Sequence, residues 1–483
     1  MPQLNLLRNS RVFLTANVDT NNIVQTSGFV AANTQELSVL DNFSFSQQTN
    51  ADTVAIMEAS SAPARGQRSF NTSLNPVEFS FSTYIRPNLN TTVKADESVL
   101  WAAFFSATQP NLTGTTLGGT ITTATCSATT GQATVVGTSL STYTVGKVYH
   151  LRGAVGARAN ELNSPVRVLS SSATTLIVQY LTAPTSTAFT TANITTAVSL
   201  SGSAWIEHPA VAADTTIGNT AYSEVTSAFS NINQFFGIGF VIVMDSVTYV
   251  IDNAALDQAS IDFGLDGIAT IAWSGKGTAL RSLAQSTITG SVFSGALTGT
   301  FNGKSSVATT RYITNKLSTV SLAGQIGGGG TAYNIPLTGG SITFANNLNY
   351  LTPANLGVVN LPIGYYAGTR SITGSLNAYL RTGTNTTGQS NAAQLLADML
   401  SAASTVVEPK YQLEVQVGGS SNPVRVELRG NGANLQIPTV DTQDIISTVI
   451  NFTIEGADAV QGTSTAGYDL EAVNDVRIRY FSN

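Results

Sequence analysis

This chain states nearly the same sequence twice. Phe81–Arg86 (FSTYIR) returns as Leu376–Arg381 (LNAYLR), a separation of 295 residues (376 − 81). Leu100–Ala107 (LWAAFFSA) returns as Leu395–Ala402 (LLADMLSA) at the same separation (395 − 100). Ile268–Gly275 (IATIAWSG) is then echoed by Val449–Gly456 (VINFTIEG), now at 181 (456 − 275). The fall from 295 to 181 places about 114 extra residues (295 − 181) inside the first copy. Two tandem copies, the first interrupted by a third domain, is the organisation this implies, and a duplicated unit points to ring-like assembly.

Of the 483 residues only 10 % are charged, far below the roughly 25 % of ordinary soluble domains. Low charge with abundant Ser, Thr, Asn and Gly fits many short strands and a surface covered by copies of the same chain. A disordered chain is a poor alternative at 42 % hydrophobic residues. The formal net charge is −6 and no basic block occurs, so tight nucleic-acid binding, which needs clustered cations to displace counterions, is not expected. A lone cysteine, Cys126, excludes a disulfide framework within the chain and a cysteine-based zinc site. The N-terminal MPQLNLLRNSRVF lacks an apolar core of signal-peptide length, and the apolar run 235–244 is too short to span a bilayer. A soluble protein made in a cytoplasm is the expectation.

Residues 77–86 alternate: Phe79, Phe81, Thr83 and Ile85 share one face, and Glu78, Ser80, Ser82 and Tyr84 the other. In 371–380, Ile372, Leu376, Ala378 and Leu380 stand opposite Ser371, Thr373, Ser375, Asn377 and Tyr379. A strand apolar on one face needs a cover there. The helical spacing of Leu100, Trp101, Phe104 and Phe105, and of Leu395, Leu396, Met399 and Leu400, supplies one sheet-covering helix per copy. Longer strands follow at 237–251 and at 411–417 with 424–429, and each copy closes on a strand, 267–274 and 448–455. The expected domains are 1–110 with 208–309, the insertion 111–207, and 310–483, with glycines 327–330 in a loop of the second copy. Strand candidates at 119–125, 132–136, 147–152, 165–169 and 174–181 suggest that the insertion is a small β-sandwich or barrel of immunoglobulin-like size.

No catalytic constellation emerges. His150 and His208 have no nucleophile paired with them by sequence. Gly303-Lys304-Ser305 lacks the earlier glycine of a phosphate loop, since Thr298 stands there. Asp252, Asp257, Asp262 and Asp266 are spaced by five, five and four, unlike a calcium loop. Neither a cofactor nor a metal is expected. The aromatic residues lie mostly at apolar strand and helix positions, where core packing accounts for them; Tyr84 and Tyr379 are exceptions on the polar faces.

The order of sheet strand, LWAAFFSA helix, long strand pair and the segment 255–271 (ALDQASIDFGLDGIATI) resembles the tail tube proteins of tailed bacteriophages. The second copy follows more loosely, with Asn434–Pro438 leading into 446–456, and the insertion is not covered. The resemblance implies a mainly β fold with minor α: two tandem tail-tube-like β-sandwich or barrel domains, each with one packed helix, plus the inserted domain. It implies a structural, non-enzymatic virion protein of the tail, assembled in the host cytoplasm. Its partners would be further copies of itself, a tape measure protein, a tail terminator, and baseplate or tail-tip proteins, with double-stranded DNA passing through and no membrane anchor. Most members carry one tube domain and form hexamers, so a doubled chain implies a trimer with pseudo-sixfold symmetry.

A conduit for a polyanion needs a wall that does not hold it, which favours neutral or mildly negative strand faces. Glu78, Ser80, Ser82, Thr373, Ser375 and Asn377 are the candidate lumen-facing positions. A carbohydrate-binding or adhesive surface protein is the other class that fits a Ser/Thr-rich β composition. It would be a monomer or small oligomer with glycan affinity.

Overall fold

The computed structural model describes residues 10–40, 42–57, 65–88, 94–95, 97–105, 120–127, 131–152, 163–180, 199–201, 205–208, 222–226, 235–244, 247–264, 267–293, 313–323, 332–384, 391–402, 410–419, 424–437, 439–441, 446–455 and 475–482. Glycines 327–330, the 303–305 segment, Asp266 and the expected copy boundary near 310 lie outside these residues.

The chain is mainly β. Its first copy opens with β1 (Ser10–Thr15), β2 (Thr34–Leu37), β3 (Ser44–Ser46), the long hairpin β4 (Thr49–Met57) and β5 (Arg65–Leu74), and β6 (Val77–Tyr84). The short ladder of β7 (Pro87–Asn88) with β8 (Lys94–Ala95) leads into helix α1 (Ser98–Phe105). The insertion contributes β9 (Thr120–Ser127), β10 (Gln132–Thr138), β11 (Val148–Arg152), β12 (Pro165–Ser171), β13 (Thr175–Tyr180) and β14 (Ser199–Ser201). Then come β15 (Trp205–His208), β16 (Tyr222–Thr226), β17 (Ile238–Met244), β18 (Val247–Asp262), β19 (Thr270–Gly277) and β20 (Ala279–Leu283). The second copy holds β21 (Thr319–Ala323), β22 (Ala332–Ile335), β23 (Leu337–Ala345), the hairpin β24 (Leu348–Leu351) and β25 (Gly364–Ala367), and β26 (Ser371–Tyr379). Helix α2 (Ala392–Ala402) follows, then β27 (Lys410–Val417), β28 (Val424–Leu435), β29 (Thr439–Asp441), β30 (Ser447–Ile454) and β31 (Val476–Ser482).

The strand registers repeat between the copies. Tyr84 stands opposite Thr270 in the β6–β19 ladder, and Tyr379 opposite Ser447 in the β26–β30 ladder. The 295-residue offset therefore relates β6 to β26 (379 − 84), but the offset of the closing strand is 177 (447 − 270). The sequence echo at 181 is four residues out of register. Side chains in a strand alternate with period two, so a slip of four keeps every apolar residue on its own face and leaves the pattern unable to distinguish the two alignments. The insertion is accordingly longer by four than the echo implies.

A bulge fixes the remaining long strand. The β17–β18 ladder shifts register around Asn253, which has φ 43°, and the β27–β28 ladder shifts around Gly432, at φ 67°. Glycine, and less readily asparagine, tolerates this left-handed backbone, so both bulges have a suitable residue, at an offset of 179 (432 − 253). The same offset carries Asp262, the last residue of β18, onto Asp441, the last of β29 (441 − 262). What is one 16-residue strand in the first copy is thus two segments, β28 and β29, in the second.

One apolar core runs through both copies. Helix α1 is buried along Val99–Phe105, and Trp101 sits against Trp273 at 4.8 Å between ring centroids and Phe344 at 5.5 Å. Its Nε1 donates to the Tyr480 hydroxyl at 2.8 Å. Leu100, Phe104 and Phe105 are buried beside it. In α2, Leu395 and Met399 are buried and Leu396 is half-buried, but Leu400 is 55 % exposed and does not help to cover the sheet. The apolar stripe of α2 follows positions 395 and 399, and Leu400 falls one residue past it, about 100° around the helix. Leu400→Gln should therefore change stability by less than about 0.5 kcal/mol, whereas Leu395→Ala should cost about 2–5 kcal/mol in thermal or denaturant unfolding.

The described strands of the insertion pair antiparallel in the order β14-β11-β12-β13-β10-β9, one sheet with its own apolar core, including Val135, Leu151, Val168, Val178 and Tyr180. Strands lie at all five positions that the alternation indicates, and β14 adds a sixth. No helix among the described residues is long and apolar enough to cross a membrane.

Candidate functional site

Eight strands form the feature that the repeat builds. From one edge to the other the ladders run β3–β6–β19–β18, then β23–β26–β30–β29, four strands from each copy. The join between copies is the antiparallel pairing of Gln258–Asp262 on β18 with Ser341–Ala345 on β23. Beneath this sheet lie Phe79, Phe81, Trp273, Ile261, Ile342, Phe344, Leu376 and Ile450, all buried.

The other face is mostly polar, with Ala272, Ala345 and Val449 among its apolar members. One row of neighbours reads Ser82, Ala272, Ser260, Thr343, Thr373, Thr453, and the next Tyr84, Thr270, Asp262, Ser341, Ser375, Asn451. Hydroxyl groups meet across strands: Ser44 Oγ and Ser80 Oγ at 2.8 Å, and Ser260 Oγ and Thr343 Oγ1 at 3.1 Å. Asn42 Nδ2 donates to Ser82 Oγ at 2.8 Å, while the Ser82 backbone N–H donates to Asn42 Oδ1 at 3.0 Å. The register sets Glu78 opposite Lys276, and Asp262 and, at the β18 bulge, Asp257 are further charges on this side. At the β3 end a concavity of about 390 Å³ is lined by Ser44, Ser46, Glu78, Ser80, Ser274 and Lys276, among others.

All six positions singled out from the sequence fall on this one face. Glu78, Ser80 and Thr373 are exposed; Ser82, Ser375 and Asn377 are half-buried. Tyr379 is exposed and Tyr84 half-buried on the same side. Sequence reasoning found the closing strands that carry Ser274, Asn451 and Thr453 but missed β23 and the far half of β18 between them, with Ser260, Asp262, Ser341 and Thr343. Their period-two alternation was available, but not the pairing that sets them in line.

The other candidates have separate structural tasks. Asp252 is ion-paired with Arg281 and accepts the Val24 N–H at 2.9 Å. Asp257 accepts the Leu348 N–H at 2.7 Å. Among the described residues no three of His, Cys, Asp and Glu are grouped to hold a metal. His208 lies on β15 with its backbone opposite Tyr222. His150, on β11 of the insertion, is fully buried, and its Nε2 lies 2.9 Å from Glu224 Oε1. Glu224, on β16, also accepts from Arg479 Nε of β31 at 2.7 Å. Burial alone would raise the Glu224 carboxyl pKa; the Arg479 and Arg477 guanidinium groups and the His150 hydrogen bond outweigh it and hold that pKa well below the usual range. This ion cluster joins the insertion to the first copy and to the last strand of the second.

One surface is apolar rather than polar. The segment between β24 and β25 exposes Leu356, Val358, Val359, Leu361 and Ile363, and Asn360 within it pairs with the end of β5 through the Leu74 N–H at 2.9 Å.

No family model matches the chain. Two solved structures resemble parts of it. The baseplate of the anti-feeding prophage covers 28 % of this chain and 86 % of that one, at 11 % identity and a TM-score of 0.22. The tube-terminating cap of the same particle covers 34 % and 88 %, at 15 % identity and a TM-score of 0.21. Scores this low carry no argument about fold or function. The sequence itself is 25 % identical over 454 residues to Tail tube protein pb6 of Escherichia phage T5, covering 93 % of this chain and 72 % of that protein. With similarity spread over nearly its whole length, the chain is a relative of that tail tube protein.

Proposed function

We propose that this chain is a structural, non-enzymatic subunit of a phage tail tube, closing into rings that stack into a conduit for double-stranded DNA. The observation that carries this reading is the eight-stranded sheet, built from two equivalent four-strand halves and mostly polar along one continuous face. Each half corresponds to one tube domain, 1–110 with 208–309 and then 310–483, so three chains supply six equivalent segments. A wall of hydroxyls and amides with few charges, of which one is Lys276, gives phosphates no dense set of cations to bind, and DNA slides past it.

The insertion, 111–207, belongs on the exterior, because His150 ties it to Glu224 and Arg479 on β16 and β31, neither of which is a strand of the polar face. The apolar segment 356–363 has the character of a contact surface and suits ring-on-ring stacking. Tape measure, terminator and tail-end proteins would meet the tube at its ends, and the location would be the virion tail.

Negative-stain images of purified protein test the reading: rings or tubes support it, and isolated particles with glycan affinity support an adhesive protein instead. Within assembled tails, Ser80→Lys, Ser82→Lys, Thr373→Lys and Ser375→Lys combined should slow DNA ejection by on the order of tenfold, through transient phosphate contacts. Unchanged ejection kinetics would contradict the lumen assignment.

A further inference from the structure

Two arginines meet on the side of β28 and β31 that faces away from the apolar core: Arg429 stands directly opposite Arg477 in that ladder. We propose that Arg429 and Arg477 together bind a tetrahedral oxyanion, either free phosphate or sulfate or the phosphoryl group of a larger molecule, beside the Glu224 junction with the insertion. The site is separate from the polar face and does not depend on the ring reading.

Three observations carry it. First, the neighbouring carboxylates are engaged elsewhere. Glu224 accepts from Arg479 Nε at 2.7 Å through one oxygen and lies 2.9 Å from His150 Nε2 through the other, while Arg477 Nε is 3.8 Å away, beyond hydrogen-bond reach. Glu427 accepts from Arg425 Nε at 3.0 Å. Glu414, opposite Arg429 on β27, accepts from Gln416 Nε2 at 2.6 Å. Arg429 Nε is buried and has no hydrogen-bond partner. A buried donor left in this way costs its full desolvation, so such groups are rare.

Second, the first copy shows the same position neutralised. The bulges relate β18 to β28 at an offset of 179, which carries Val250 onto Arg429 (429 − 250). The residues opposite them are Arg281 on β20 and Arg477 on β31. In the first copy, therefore, the equivalent arginine faces an apolar residue and is ion-paired with Asp252. Asn431 stands where that aspartate would fall (252 + 179), so the second copy has one cation more and one carboxylate fewer.

Third, the charges do not cancel. Arg425, Arg429, Arg477 and Arg479 stand against Glu224, Glu414 and Glu427. Like charges directly opposite in a ladder are destabilising, and burial, with the charges of Arg479 and Arg429, pushes the Arg477 pKa down to about 9. A dianion between the two side chains matches them in charge, and the planar guanidinium presents its N–H groups as a fork suited to phosphate oxygens. The Arg477 side chain is 21 % exposed, so the site is reachable from solvent.

Thermal unfolding of the full-length chain in a zwitterionic buffer tests it, with sodium phosphate compared against sodium chloride at equal ionic strength. Phosphate at about ten times its Kd should raise the wild-type midpoint by about 1–3 °C beyond chloride. Arg429→Gln and Arg477→Gln should each lose most of that increment, and calorimetric titration of phosphate into the folded variants should show at least about tenfold weaker binding. Lys147→Gln, which removes an exposed cation on the insertion, should keep the full response. Glycerol phosphate separates the two sources: stabilisation equal to that by phosphate assigns the site to a phosphoryl group on a larger molecule, and stabilisation by phosphate alone assigns it to the free ion. The site is overturned if phosphate adds nothing beyond chloride in wild type, or if both arginine variants keep the increment. Loss of the response in Lys147→Gln as well would reduce it to bulk charge screening and overturn the site too.

Discussion

Trp101→Ala should lower the unfolding free energy by about 3–5 kcal/mol and destabilise both copies in one transition. Trp101 belongs to the helix of the first copy, yet its ring packs on Trp273 of that copy and on Phe344 of the second, and its indole N–H donates to Tyr480 in the last strand. Truncation leaves a cavity at the point where the halves share a core, and close-packed neighbours do not refill such a space. Trp101→Phe keeps an aromatic ring there and removes the hydrogen bond, for a smaller loss of about 1–2 kcal/mol. Calorimetry of the two variants checks the order; separate transitions for the two copies in Trp101→Ala would contradict a shared core.

Glu224→Gln should cost about 3–5 kcal/mol and loosen the insertion from the body, because it leaves His150, Arg477 and Arg479 around a neutral amide. Hydrogen exchange should rise in β11 and at the C-terminal strand together, although the two are far apart in sequence. The pH dependence follows from the depressed carboxyl. Its stabilising contribution is fully present above the unfolded-state pKa of about 4.5 and is lost as pH falls below that value towards the lower folded-state pKa. Wild type should therefore lose stability steeply below about pH 4.5, and the Gln variant less steeply. Equal acid slopes in the two proteins would show that Glu224 is not a principal acid-sensitive group.

The sequence made the faces legible and left the partners hidden. Val77–Tyr84 and Ser371–Tyr379 alternate so regularly that their polar and apolar sides follow from period two alone, and α1 and α2 were evident from helical spacing. The closing strand was found but set four residues out of register, because alternation is blind to even shifts. The continuity of β28 with β29 was not legible, since it rests on a bulge at Gly432 and a pairing with β30. Nothing local marks β23 as the neighbour of β18, or Glu224 as the partner of His150 and Arg479, which lie 74 and 255 residues away. Leu400 is a limit of another kind: its apolar character suggested burial, but its angle on the helix decides its exposure.

Native mass spectrometry of the smallest closed ring tests the central claim most directly. Two equivalent sheet segments per chain predict a ring of three chains of 50.3 kDa each. A smallest ring of six chains, or a species that remains a single chain at every concentration, would contradict it.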